Sequence, residues 1–375
     1  MASVAFDELS PIVQHVSGAV AVPERDPGGR AGVAWHYGSP LVEQRAMVDS
    51  AALVDRSHRR VLRISGPDRL EWLNTLFSQK LDDAVPGFAS EALDLDPQGR
   101  ILHHMGVSVL GDSVLLDVSP LGAESLHRFL TMMIFRSDVT VEHADLAMLS
   151  VVGPGSGEVL AAAGLPDPGA GAGAGADDGT VVRGTAWPAD GARDVFAARE
   201  SVTAAWDRLV AAGAKPTGLM AWEAERVAAL RPEPGLDVDE KMIPHECRAW
   251  IGGAHDPAAV HLDKGCYRGQ ETVSRVHNLG RPPRTLVLLQ LDGSAASLPE
   301  PGDPVEAGRR TVGRVGTVVD HCEYGPIALA LVRRNSQEGV ELTAGGAAAA
   351  VDPSTVDRDD GVRPGRAAVA KLRGR

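Results

Sequence analysis

Apolar and polar positions alternate along residues 60–65, which predicts a strand, and Pro67 opens a stretch with Leu70, Leu73 and Phe77 at helical spacing. Residues 91–95, 101–110 and 114–118 read as a three-stranded meander, joined by turns at Pro97-Gln98-Gly99 and Gly111-Asp112. A helix over 120–133 follows, with Leu126, Phe129, Leu130 and Met133 on one face. Residues 135–139 lead into another strand. Residues 146–152 form a buried strand, 156–163 a short helix, 181–187 and 193–197 two more strands, and 201–212 and 219–230 two helices. Pro232 and Pro234 stop the last of these. Strands whose helices lie on one side indicate an α+β fold rather than a wound parallel sheet.

The flanks differ in character. Residues 1–45 carry Pro23, Pro27, Pro40 and Gly28-Gly29 among short apolar runs and predict an arm that packs on the body, followed by a short helix over 46–53. Residues 166–179, dominated by Gly and Ala, predict a flexible insertion, a silk-like strand being disfavoured at this length. Residues 231–262 are loop-rich. After Pro282-Pro283 the aliphatic runs 285–291, 311–319 and 327–332 predict a β-barrel or sandwich domain over 283–375, with a basic tail from Arg363. The α+β region is thus expected over 46–282.

Charge narrows the function. A formal net charge of -13 argues against direct nucleic-acid binding. No run is long and apolar enough for a membrane span, and the acidic start (Asp7, Glu8) does not read as a signal peptide, so a cytoplasmic protein is expected. Cys247, Cys266 and Cys322 are too few and scattered for a disulfide framework. Locally the sign reverses. Five basic residues (Lys264, Arg268, Arg275, Arg281, Arg284) face one acid, Glu271, between 264 and 284, enough to hold a small anion.

That basic stretch contains Lys264-Gly265-Cys266-Tyr267-Arg268-Gly269-Gln270-Glu271. Cations two residues to either side of Cys266 predict a stabilised thiolate. Gly265 and Gly269 permit close approach to the main chain, and Gln270 with Glu271 offers the mixed donors and acceptors that read a flat heterocycle. The octet resembles the signature of the YgfZ-type folate-binding proteins, which are similar to the T-protein (aminomethyltransferase) of the glycine cleavage system and are linked to iron-sulfur cluster assembly or repair. The likeness continues through Arg275, Gly280 and Arg284, and upstream to Glu223, Arg226 and Pro244.

The resemblance implies two α+β domains and a β-barrel-like domain around a central channel that holds tetrahydrofolate or a folate derivative. It implies iron-sulfur client proteins or assembly factors as partners, with any effect on tRNA modification indirect. Cys266 and Lys264 are the candidate catalytic residues. Arg226, Tyr267, Arg268, Gly269, Gln270, Glu271 and Arg275 are the candidate folate contacts. Glu223 and Arg226 lie three apart on one helix face, as a surface ion pair or, as the resemblance implies, with a structural or ligand-facing role for Arg226.

His245, Cys247, His255, His261 and Cys266 fit no tetrahedral zinc spacing, so no metal is expected. His103 and His104, neighbours on a strand, would face opposite sides. They stand where T-proteins carry two acids after a Gly-x-Ile-Leu-like turn, which argues against aminomethyl transfer because a neutral imidazole does not replace a fixed anion beside a cationic amine. A folate-dependent transferase or demethylase and a ligand sensor without thiol chemistry stand as alternatives. No Gly-x-Ser-x-Gly elbow supports a hydrolase.

Overall fold

The computed structural model describes residues 9–188, 191–252 and 258–356. The chain begins with α1 (Pro11–His15), a small hairpin of β1 (Val20–Ala21) and β2 (Ala34–His36), and α2 (Pro40–Asp49). The arm does pack on the body: Ile12 and Val33 are fully buried and Ser10 Oγ donates to Asp55 Oδ2 at 2.5 Å. The helix expected over 46–53 starts earlier, because Pro40 sits in its first turn. It ends at Asp49, and the following residues form strand β3 (Ala52–Asp55). Residues 1–8 and the basic tail from Arg363 lie outside the described residues, as does His255.

The first α+β unit runs through β4 (Arg60–Ser65), α3 (Arg69–Leu76), β5 (Ala89–Leu95), β6 (Ile101–Val109), β7 (Ser113–Val118), α4 (Pro120–Met132) and β8 (Thr140–Ala144). Its antiparallel sheet has the order β5-β6-β7-β4-β8, and α3 and α4 cover one face, burying Leu62, Ile64, Leu73, Phe77, Leu116, Leu126 and Leu130. The second unit continues with β9 (Leu146–Val152), α5 (Ser156–Ala162), β10 (Gly173–Gly175), β11 (Val181–Gly184), β12 (Ala192–Ala198), α6 (Val202–Ala211), β13 (Lys215–Thr217) and α7 (Leu219–Ala228). Its sheet order is β10-β11-β12-β9-β3-β13, so β3 from before the first unit completes it and the two units interleave.

The Gly/Ala insertion is not a free loop. Its centre, β10, is the edge strand of the second sheet, and Gly173 N–H donates to Gly87 O while Ala89 N–H donates to Gly171 O. Main-chain hydrogen bonds to two partners supply the order that its composition cannot. The uncovered faces of the two sheets meet around Val61, Leu115, Met148, Val181 and Phe196.

The short strands β14 (Ile251–Gly252) and β15 (Val260–His261) lead to α8 (Gln270–Asn278). A closed barrel follows, built from β16 (Arg284–Leu291), β17 (Pro304–Ala307), β18 (Arg310–His321), β19 (Gly325–Arg333), β20 (Leu342–Ala344) and β21 (Ala347–Val351) in the order β16-β19-β18-β17-β20-β21. Arg284 ties its first strand to the preceding loop through Asp239 and Glu246. No helix among the described residues is long and apolar enough to cross a membrane.

Candidate functional site

Strand periodicity builds the site. In β5 and β6, Ala92, Met105 and Val107 point to the helices, so Glu91, His104 and Gly106 point the other way. In β7 the same alternation sends Leu116 to the core and Asp117 to the far side. In β11 and β12, Val182 and Val195 face their own helices while Arg183 and Asp194 face the first sheet. These outward polar side chains, with Trp187, Trp222, Arg231 and Trp250, enclose a cleft of about 900 Å³, its mouth included. It contains half of the chain's six tryptophans.

The walls are held by ion pairs that leave some groups for a ligand. Arg183 bridges the sheets, donating to Asp117 Oδ1 at 2.5 Å and Asp194 Oδ2 at 2.6 Å. Arg59 donates to the second oxygen of Asp117 at 2.7 Å. Burial raises the Asp117 pKa, yet Arg183 and Arg59 together hold it well below the carboxylate range. A Cβ at Gly106 would lie 2.3 Å from both Arg183 and Asp117, so only glycine fits beneath this bridge. Arg56 stacks 3.8 Å over Trp222, and burial pulls its pKa down to about 10.

Glu91 is a carboxylate inside the cleft. Trp187 Nε1 donates to its Oε1 at 3.0 Å, and Arg231 reaches Oε2 at 3.3 Å. Burial opposes ionisation, but Arg231 and His104 outweigh it and hold its pKa at about 2. Trp250 Nε1 and Arg56 Nε are buried with no hydrogen-bond partner among the described residues. Unmatched buried donors are costly without a partner, so the cleft is suited to a ligand that brings acceptors.

Arg226 borders this cleft but has no donor left for a ligand. Its guanidinium serves Glu223, Asp237, Arg231 O and Thr317 Oγ1, and it is 2% exposed. Of the roles expected for the pair, the structure shows the structural one and not a surface ion pair: it is a buried node, joined by Arg30 on Glu223 at 2.6 Å, that ties α7 to the arm and the barrel.

The octet lies elsewhere, since none of residues 264–271 lines the cleft. Lys264 Nζ donates to the carbonyls of Asn74, Phe77 and Gln79 at 2.6, 2.7 and 2.8 Å, closing the C-terminal end of α3. Three acceptors call for the three N–H donors of an ammonium, while burial pulls its pKa down to about 7. Arg268 donates through Nε to Leu95 O, approaches Asp94 at 3.3 Å and lies 4.5 Å over the Phe129 ring. Both cations therefore serve neighbouring elements.

The remaining motif residues also hold the fold. Tyr267 is buried in the core shared with the barrel, and Gln270 Nε2 donates to Lys264 O at 3.3 Å. Gly269 caps α8 at φ 83°, and a Cβ there would come within 2.7 Å of Asp96 O in the β5–β6 turn. Glu271 and Arg275 are exposed on α8. Cys266 is exposed, whereas Cys247 is buried, which pushes its thiol up to about 12. His103 and His104 do face opposite ways: His103 joins Asp94 and Ser125 on the helix side, at 2.8 and 2.7 Å, and His104 enters the cleft.

Sequence reasoning missed Glu91, Asp117, Arg183, Asp194 and the three tryptophans as a set. The available signal was a charged residue inside each of four otherwise largely apolar strands, on the face that a single-layer reading assigns to solvent.

The architecture is a GcvT-like fold followed by a closed six-stranded barrel. Residues 33–168 match the family model described as GCVT N-terminal domain, and 284–357 match that of the CAF17 C-terminal beta-barrel domain. The chain is similar to a putative chloroplastic transferase of Arabidopsis thaliana, 27% identical over 281 residues, covering 72% of this chain and 62% of that protein. It is 31% identical over 245 residues to the aminomethyltransferase of Stenotrophomonas maltophilia (strain R551-3), covering 61% of this chain and 64% of that one. The aminomethyltransferase of Frankia alni is 28% identical over 313 residues, 80% of this chain and 82% of its own. The chain spans a little over three-fifths of the first two of these relatives. The glycine cleavage system aminomethyltransferase T of Bartonella henselae has the same fold, with a TM-score of 0.75 at 19% identity over 89% of this chain and 92% of that one.

Proposed function

We propose that this protein binds tetrahydrofolate or a related folate in the cleft between the two sheets and supports assembly or repair of iron-sulfur proteins in the cytoplasm. The observation that carries the folate reading is the cleft itself, where three tryptophan rings, an ionised Glu91 and the unpartnered Trp250 Nε1 surround a space suited to a flat heterocycle with mixed polar edges. The resemblance to the T-protein family and its folate chemistry points the same way. Cys266, exposed and outside the cleft, is the thiol offered to iron-sulfur clients or assembly factors. No direct nucleic-acid contact is part of this reading. The folate half is tested by titrating the protein with 5-formyltetrahydrofolate: saturable binding lost in Trp250→Ala supports it, and absence of binding removes it. The thiol half is tested by replacing Cys266 with Ala in a deletion strain and assaying cluster-dependent enzymes, where full rescue would remove the thiol from the function.

One observation favours a second reading, a folate-dependent aminomethyl or N-methyl transferase. The acids absent from positions 103 and 104 have a counterpart in Glu91, a carboxylate ionised in the cleft. Turnover of an aminomethyl or N-methyl donor by the purified protein would establish that activity.

A further inference from the structure

We propose that Ser125, His103 and Asp94 form a nucleophilic site, separate from the cleft, that accepts acyl groups from activated esters. None of the three lines the cleft. Asp94 of β5 and His103 of β6 are cross-strand partners on the sheet face covered by α4, the helix that carries Ser125. His103 Nδ1 is 2.8 Å from Asp94 Oδ2, and its Nε2 is 2.7 Å from Ser125 Oγ. A carboxylate only accepts, so Nδ1 carries the hydrogen and Nε2 is left as the base toward the hydroxyl. Burial falls outward along the three: the Asp94 side chain is fully buried, that of His103 is 8% exposed, and Ser125 lies at the surface. A Cβ at Gly122 would lie 3.1 Å from His103 Cδ2, so the glycine one turn before Ser125 lets the ring lie against the helix.

The surrounding charges leave this arrangement intact. Arg268 approaches Asp94 Oδ1 at 3.3 Å and balances its charge. Glu124 and His127 of α4 engage His143 on β8, at the far edge of the sheet, and Arg128 is exposed three residues beyond Ser125. The Oγ hydrogen has two acceptors in reach, His103 Nε2 at 2.7 Å and Gly122 O at 3.0 Å. A neutral imidazole takes it at Nε2 and activates the oxygen; an imidazolium donates to Oγ and turns it to Gly122 O. Attack on an ester forms the Oγ–C bond as the hydroxyl proton passes to Nε2. The C–O bond to the leaving group then breaks, that group takes the proton, and water attacking through the same base releases the acid. The backbone N–H groups beside Ser125 are engaged within α4, so the substrate class is an ester with a good leaving group rather than an amide. Ser125 and His103 touch the substrate, and Asp94 is the positioning residue. The same trio of side chains works on unrelated folds, so it does not need the Gly-x-Ser-x-Gly elbow that this chain lacks.

The test uses the full chain and two probes, and it does not depend on the folate reading. A fluorophosphonate reports the nucleophile: the Oγ–P bond forms, the P–F bond breaks, the proton goes to His103 and fluoride leaves. The expected result is a phosphonyl adduct on the peptide containing Ser125, absent in Ser125→Ala, and formed at least about a hundredfold more slowly in His103→Gln, whose amide can keep bonds to Asp94 and Ser125. The wild-type rate is expected to rise with pH as the imidazole loses its proton and to level off by about pH 8. p-Nitrophenyl acetate reports acyl transfer, with an acetyl group captured on Ser125 by acid quench and p-nitrophenol release reduced in S125A. An unlabelled Ser125, equal labelling rates in wild type and H103Q, or p-nitrophenol release unchanged in S125A would overturn the proposal. If H103Q does not fold, the wild-type pH profile decides: a plateau upholds the base, and a rate that is flat or climbs with hydroxide through pH 9 refutes it.

Discussion

Two regions of this molecule carry dense polar chemistry, and they differ in how they are written into the chain. The octet at 264–271 is contiguous, and apart from Gly265, Cys266, Gln270 and Glu271 its residues hold other elements in place: Lys264 closes α3, Arg268 joins β5 to α4, and Gly269 lets α8 sit on the β5–β6 turn. The cleft draws one to three residues from each of six or more elements, and it is lined by side chains with buried donors that lack a hydrogen-bond partner among the described residues. A conspicuous motif can thus be a clasp that builds the scaffold, while the cleft proposed as the ligand site is assembled by alternation in strands that each look ordinary.

The contrast can be broken most forcefully at the clasp. Lys264→Met leaves three buried carbonyls without their donor, for an expected loss on the order of 3 kcal/mol in chemical denaturation. A loss under about 1 kcal/mol would return Lys264 to the list of chemical residues. Gly269→Ala forces a side chain into left-handed backbone and against Asp96 O, with an expected cost of about 2 kcal/mol by the same measurement.

The cleft is expected to respond in binding instead. Trp187→Phe removes the donor to Glu91 and should weaken folate binding about fivefold, with the melting temperature changed by only a few degrees. Acid should act through the same carboxylates. Glu91 and Glu223 are held at about 2, below the ordinary 4.5, so the stability they contribute is complete above pH 4.5 and declines as pH falls toward 2. A melting temperature that drops between pH 4.5 and 3, and drops less in Glu91→Gln, would bear this out. The smallest effect belongs to Cys266→Ala, expected to alter stability by less than about 0.5 kcal/mol while abolishing the fast phase of thiol labelling in the folded protein.

Much of the fold was legible because local rules and tertiary packing agree. The meander over β5 to β7, the helix opened by Pro120 and the barrel after Pro283 follow from strand alternation, proline placement and Gly/Pro turns. Disagreement arose where a partner elsewhere in the chain decides the outcome. The β10 edge strand depends on the carbonyl of Gly87 and on β11, nearly a hundred residues of chain being folded between its two sets of partners. The site was less legible than the fold for the same reason. Charges beside Cys266 were read as acting on it, yet Lys264 Nζ finds carbonyls about 190 positions earlier, and Glu91 gains its meaning only when Trp187 and Arg231 arrive.

The most direct measurement is a calorimetric titration of wild type, Trp250→Ala and Cys266→Ala with 5-formyltetrahydrofolate at pH 7.5. The cleft account predicts that wild type and C266A bind with equal affinity and that W250A binds at least tenfold more weakly. Loss of binding in C266A with W250A unaffected would contradict it and move the ligand to the octet.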